Sequence, residues 1–224
     1  MSEAKKTAPS IRGQLKQHII HVPDIIDTAT GIRINGKLIR SLIFTTDVAI
    51  MRNMNADAVI AVYPFTPQPV ITQALMMAAD VPVFCGVGGG TTTGPRVVNL
   101  AKHAEYQGAM GVVLNAPTQN KIISEIASEI DIPIIITVVN DKTDLRERIN
   151  AGASIFNVSG ASRTAQLVRE IRSSFPNIPI IATGGPNDET ILETIEAGAN
   201  AITYTPPSNG ELFSELMKKY RGEV

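Results

Sequence analysis

From about Asn55 to the C-terminus, short apolar runs alternate with longer amphipathic stretches on a two-beat rhythm. One beat sets a proline at the start of an apolar run: Val81-Pro82-Val83, Ile132-Pro133-Ile134 and Ile178-Pro179-Ile180. The other sets Asn-Ala or Gly-Ala before it: Asn55-Ala56, Gly108-Ala109, Gly152-Ala153 and Gly198-Ala199. A glycine just past a helix takes the left-handed conformation that ends it. A proline opening a strand lacks only an N–H that the ladder does not yet need. Each beat therefore reads as a helix-to-strand junction.

Eight apolar runs predict strands near 41–45, 58–62, 83–86, 111–115, 134–138, 154–158, 180–183 and 201–204. Most are apolar throughout, as strands covered on both faces are. Helical stretches follow each of them, at 48–53, 69–79, 95–107, 120–130, 143–150, 164–174, 189–197 and 210–220, with Pro69 and Pro95 at helix starts, where proline is tolerated. Eight such pairs make the count of an α/β protein with a single (β/α)8 TIM barrel. An open doubly wound sheet would want a glycine-rich turn after its first strand, and the first run ends Thr45-Thr46-Asp47. Ahead of the barrel, residues 11–22 predict a short amphipathic helix. Asn35-Gly36 between alternating runs predicts a β-hairpin, placed as a plug on the barrel's N-terminal face. The expected organisation is a disordered tail at 1–10, helix plus hairpin at 11–40 and the barrel at 41–224.

The bulk numbers narrow the function. A chain of 224 residues with net charge −1 and charges of both signs interspersed offers no basic face for nucleic acid or anionic membrane. No apolar stretch reaches the roughly 20 residues needed to span a bilayer. The lone cysteine, Cys85, excludes an internal disulfide and points to the cytoplasm. No His/Cys/Asp/Glu cluster has metal-ligand spacing, and no cofactor is expected. An apolar stripe on residues 11–22, left partly uncovered by the barrel, makes a homodimer the expected assembly.

In barrels of this kind the site lies at the C-terminal ends of the strands. Those ends carry amides, hydroxyls and glycines: Asn115, Thr137, Asn157 and Ser159 as substrate-orienting groups, and Arg96, after the glycine-dense segment 86–94, as a counter-charge. That segment reads equally as a mobile lid or anion nest and as a flexible loop. Asp47 is the acid/base candidate, with helix N-capping as its alternative duty. Ser208-x-x-Glu211 reads as a capping box whose helix N-terminus can also receive an anion. No lysine lies inside a strand, which disfavours imine-forming aldolase chemistry, and Cys85 reads as a buried, inert thiol.

Ile180-Ile181-Ala182-Thr183-Gly184-Gly185 followed by Glu196-Ala197-Gly198-Ala199-Asn200-Ala201 resembles the ribulose-phosphate-binding barrel superfamily over the last quarter of the chain. The resemblance implies that Gly184 and Gly185 hold a substrate phosphate; Ser208, from its helix N-terminus and not from the resemblance, is the third expected phosphate contact. Pro206-Pro207 replaces the family's usual Gly-Ser turn. The expected activity is an isomerase or lyase acting on a small phosphorylated metabolite through Asp47. A hydrolase of a small oxyanionic substrate, with Asp47 activating water, and a non-catalytic metabolite-binding barrel are the alternatives.

Overall fold

The computed structural model describes residues 9, 11, 13 and 19–223. Among the described residues ten strands and eight α-helices follow in chain order: β1 Ile32–Ile34, β2 Lys37–Ile39, β3 Ser41–Phe44, α1 Val48–Met51, β4 Ala58–Ala61, α2 Pro69–Ala78, β5 Val83–Gly88, α3 Pro95–Tyr106, β6 Gly111–Leu114, α4 Asn120–Ala127, β7 Ile134–Val138, α5 Leu145–Asn150, β8 Ile155–Val158, α6 Thr164–Ser174, β9 Ile180–Thr183, α7 Asp188–Glu196, β10 Ala201–Tyr204 and α8 Asn209–Arg221. Strands β3 to β10 are all parallel and close into a barrel as β10 pairs with β3. The fold is the expected (β/α)8 barrel. Strand-entry glycines Gly108, Gly152 and Gly198 all have positive φ, so the rhythm in the sequence is the left-handed helix stop repeated.

The hairpin β1–β2 is a separate antiparallel sheet outside the barrel. Asn35 and Gly36 take φ of 48° and 82° at its turn, the pairing that a two-residue hairpin requires. Ile32, Ile34 and Ile39 are buried in one cluster with Leu42, Ala58, Phe84, Ile135, Ile155 and Ile181, which face the barrel axis. The hairpin thus stoppers the N-terminal end.

The helix expected at 11–22 is not helical over its described end. Ile20 forms a parallel bridge to Met54, with its N–H donating to Asn53 O (2.8 Å) and its carbonyl accepting from Asn55 N–H (3.2 Å). The free backbone groups around Met54 offer Ile20 a partner that local helix periodicity does not register. The rest of that stretch, residues 12 and 14–18, and nearly all of the tail expected at 1–10 lie outside the described residues. From Ile20 the chain runs through a 3-10 turn at Asp24–Thr28 that packs on α7, and reaches Asn200 O through Gly31 N–H (2.8 Å). Val22 and Ile26 join the core formed between strands and helices. Segment 20–31 therefore crosses the seam where β10 meets β3.

Candidate functional site

Strand register stacks the interior side chains in layers of four drawn from alternate strands. Near the hairpin come Ala58, Gly111, Ile155 and Ala201, then Leu42, Phe84, Ile135 and Ile181. Gly111 is small because a Cβ would stand 3.0 Å from Phe84 Cδ1 and 2.9 Å from Pro133 O. The third layer, Ile60, Val113, Asn157 and Thr203, is half polar. Above it, at the C-terminal end, lie Phe44, Gly86, Thr137 and Thr183, then Val62, Asn115, Ser159 and Thr205. The interior thus changes from hydrocarbon to amide and hydroxyl over one layer, and the polar groups gather on the β6–β10 side. The β3–β5 side stays apolar with Phe44, Val62 and Gly86.

The mouth holds two adjoining hollows that share Val62, Tyr63, Pro64 and Asn115. One, of about 570 Å³, lies over β3, β4 and β10 and is bounded by Phe44, Thr45, Asp47, Thr205 and Ser208 among others. The other, of about 240 Å³, is walled by Gly86, Gly88, Thr92 and Val113. No lysine, arginine or histidine lines either hollow, and Asp47 is their one carboxylate, among the described residues.

Asp47 Oδ1 caps α1 by accepting the N–H groups of Ala49 (2.8 Å) and Ile50 (3.2 Å), while Oδ2 accepts from Asn209 Nδ2 at the start of α8. The carboxylate is fixed from two elements and stands at the edge of the larger hollow. Asn115 borders both hollows. Thr137 and Asn157 are neighbours, with Asn157 Nδ2 donating to Thr137 Oγ1 at 3.5 Å. Asn157 Oδ1 and Thr203 Oγ1, in the same layer, are buried without a hydrogen-bond partner. Such orphans are uncommon and costly. Ser159 is half-buried above Asn157, its N–H donating to Val138 O.

The other expected residues have different surroundings. Arg96 is exposed on the first turn of α3 and borders neither hollow. Gly184 is buried, and its N–H donates to Thr203 O at 3.4 Å. A Cβ there would meet Ile202 Cγ2 at 2.7 Å and Ile191 Cγ1 at 2.8 Å, so its small size lets α7 pack on β10. Gly185 is exposed beyond β9. Ser208 forms the capping box of α8. Glu211 Oε2 accepts both the Ser208 N–H and hydroxyl at 2.7 Å, and the hydroxyl bond, followed by the N–H bond, pulls the Glu211 carboxyl below its ordinary value.

The segment 86–94 is pinned at several points. Gly89 N–H donates to Thr92 O (2.9 Å), and Thr92 Oγ1 to Thr66 Oγ1 (3.2 Å). Gly89 has φ of 98° and leaves no room for a Cβ beside Thr118 Oγ1, so only glycine fits where this loop touches the β6–α4 loop. Arg148 braces that second loop from α5, donating to Ala116 O, Thr118 O and Asn120 Oδ1, and its desolvation lowers the guanidinium pKa. Tyr63 and Phe44 line the hollows, and Thr183 and Thr203 face the barrel interior beside and beneath them; none was among the expected site residues. Period-two alternation from Ile181 and Ala201 was the signal that points Thr183 and Thr203 inward.

No family model matches the chain. It is 29% identical over 163 residues to a 4-hydroxy-tetrahydrodipicolinate synthase of Gluconacetobacter diazotrophicus, covering 65% of this chain and 53% of that protein. A protein of the same name from Chlorobium phaeobacteroides is 27% identical over 126 residues, 53% of this chain and 37% of its own length. The chain spans about half or less of the curated relatives it matches. Among solved structures, 2,3-dimethylmalate lyase superposes with a TM-score of 0.59 at 13% identity, covering 81% of this chain and 79% of that one. Thiamine phosphate pyrophosphorylase from Pyrococcus furiosus gives 0.53 at 19% identity, covering 74% and 84%. The likeness is to (β/α)8 barrels, and at these identities it shows the fold.

Proposed function

We propose that the protein is a lyase-class barrel enzyme whose mouth takes a small metabolite bearing an oxyanion, with Asp47 as general base and then acid. The carrying observation is the polar half-ring of Asn115, Thr137, Ser159, Thr183 and Thr205 at the ends of β6–β10, above an apolar barrel interior, with Asp47 held at the edge of the larger hollow. Names of the relatives support the class: a 4-hydroxy-tetrahydrodipicolinate synthase and a 2,3-dimethylmalate lyase handle carboxylate metabolites by name. A carboxylate is favoured over a phosphate ester, because the Ser208 donors are already held by Glu211 and Gly184 N–H by Thr203 O. A phosphate would rest on Gly185, a freed Ser208 corner and Arg96 drawn in from α3.

In this reading Asp47 takes the proton of a substrate hydroxyl. The adjacent C–C bond breaks, its electron pair passes into the carboxylate-bearing fragment as an enolate, and Asp47 returns the proton to that carbon. Asn115, Thr137, Asn157 and Ser159 orient the substrate, and neutral amide and hydroxyl donors hold the developing enolate oxygen. No lysine lines the mouth among the described residues, so an imine to the chain plays no part in this reading.

Titration calorimetry with oxalate and with inorganic phosphate tests the ligand. Oxalate is expected to bind, and to bind at least about tenfold more weakly to Asn115→Ala, the loss of one or two good hydrogen bonds. Asp47→Asn is expected to lower kcat on a panel of small hydroxy acids by about 10²-fold or more. If neither anion binds the mouth, the reading fails. If oxalate binds and no turnover depends on Asp47, the protein is a binding barrel without catalysis, a reading that the scarcity of ionisable side chains at the mouth favours.

A further inference from the structure

Among the described residues the longest helix is α8, which has 13 residues and buries none of its side chains. Phe213, Leu216, Met217 and Tyr220 recur at i, i+3, i+4 and i+7, one face of a helix, and are 65%, 41%, 40% and 73% exposed. By contrast, α3, α4, α6 and α7 all bury apolar side chains against the barrel. The cause lies at the seam. Segment 20–31, with Val22 and Ile26, covers the outside of β10 and β3 between α7 and α1, which is the place an eighth barrel helix would fill. The helix keeps its apolar face and has nothing of the described chain to lay it on.

We propose that this face is the contact between two copies of the chain, the two α8 helices packing antiparallel about a twofold axis between Leu216 and Met217. The stripe is complementary to itself about that midpoint. Phe213 meets Tyr220 of the partner subunit, and Leu216 meets the partner's Met217. Charge follows the same symmetry. Glu211 and Glu215 lie in the first half of α8, and Lys218, Lys219 and Arg221 lie in the last. Antiparallel packing sets each acidic half beside a basic one and opposes the two helix dipoles. A helix whose apolar stripe and run of charge both match their own rotated copy fits a second copy of this chain.

Light scattering on the full-length chain, during size exclusion, is expected to give twice 24.0 kDa. Leu216→Glu is expected to give 24.0 kDa and to keep a cooperative thermal melt, lowered only by the stabilisation that dimerisation supplied, since the side chain lies outside the core. Lys218→Glu/Lys219→Glu, which makes both halves of α8 acidic, is expected to raise the dimer dissociation constant about tenfold at low salt and much less in about 1 M salt. Met217→Cys is expected to form a cross-link between copies under mild oxidation. The native Cys85 does not compete, because it is 2% exposed and burial pushes its thiol up to about 12. A monomeric wild-type chain overturns the proposal, as does a dimer that Leu216→Glu leaves intact. A monomer in which the thiol of Met217→Cys is shielded from reagent also overturns it, and assigns the face to residues 1–18 of the same chain.

Discussion

The floor and the mouth of this barrel are built from the same eight strands, two residues apart, and they behave as different materials. Ile135 becomes Thr137, Ile181 becomes Thr183, Val113 becomes Asn115 and Ile155 becomes Asn157 on moving up one interior position. The floor is close-packed, with Leu42, Phe84 and Ile135 at 0% exposure and the hairpin isoleucines sealing it. The mouth is open, half polar, and rests on a layer with two unpartnered buried oxygens. Burial energy alone would have continued the hydrocarbon upward. A polar half-ring in place of hydrocarbon is the trade of stability against activity that the proposed site would make.

That contrast breaks most strongly at Phe84. Phe84→Ala empties the floor and is expected to cost about 3–5 kcal/mol, read as a lower midpoint in urea unfolding. Next comes Cys85, on the packed outer face of β5. Desolvation raises its pKa from 9.0 to about 12, so the folded state keeps a proton that the unfolded chain releases. The stability this contributes is whole below pH 9.0 and is lost as pH climbs towards 12. Cys85→Ala is expected to flatten the fall in melting temperature across that alkaline range.

The mouth answers with the opposite sign. Thr203→Val replaces an orphaned hydroxyl by a methyl of the same shape and is expected to stabilise by about 1 kcal/mol in the same unfolding assay. A loss instead would mean that the hydroxyl has a partner, and would blur the contrast between the layers. Asp47→Ala removes the α1 cap and the Asn209 contact and is expected to cost about 1 kcal/mol in the same assay. The smallest effect is expected at Glu211, exposed at the edge of the mouth. Its lowered pKa contributes stability that is present above the ordinary 4.5 and fades as pH falls through the lowered value. Glu211→Gln is expected to remove that slight acid-side slope in an unfolding series below pH 5.

Much of this was legible in the chain. β7, β9 and β10 begin and end where their apolar runs do, α6 matches its predicted span, and Asn35-Gly36 turns the hairpin. These features are local: a left-handed glycine, a proline without an N–H and a run of β-branched residues carry their conformations with them. α4 stops at Ala127 rather than 130, and α5 starts only after Asp144, which caps it through Glu147 N–H. There, side chains competing for backbone groups decide within a turn. Gly184 shows the limit of reading by motif: the structure shows that its lack of a side chain serves the approach of Ile191, which no sequence pattern states.

By itself, the sequence determined the count and order of the strands, their parallel closure and which end carries the polar side chains, because each follows from conformations and polarities confined to a few neighbouring residues. Only the tertiary structure decided that the polar side chains gather on one side of the mouth, that Asn157 and Thr203 share a layer, and that segment 20–31 takes the place of an eighth helix at the seam. Those facts depend on strand stagger around a closed ring and on contacts between residues as far apart as Thr30 and Asn200. Such distances carry no signature along the chain.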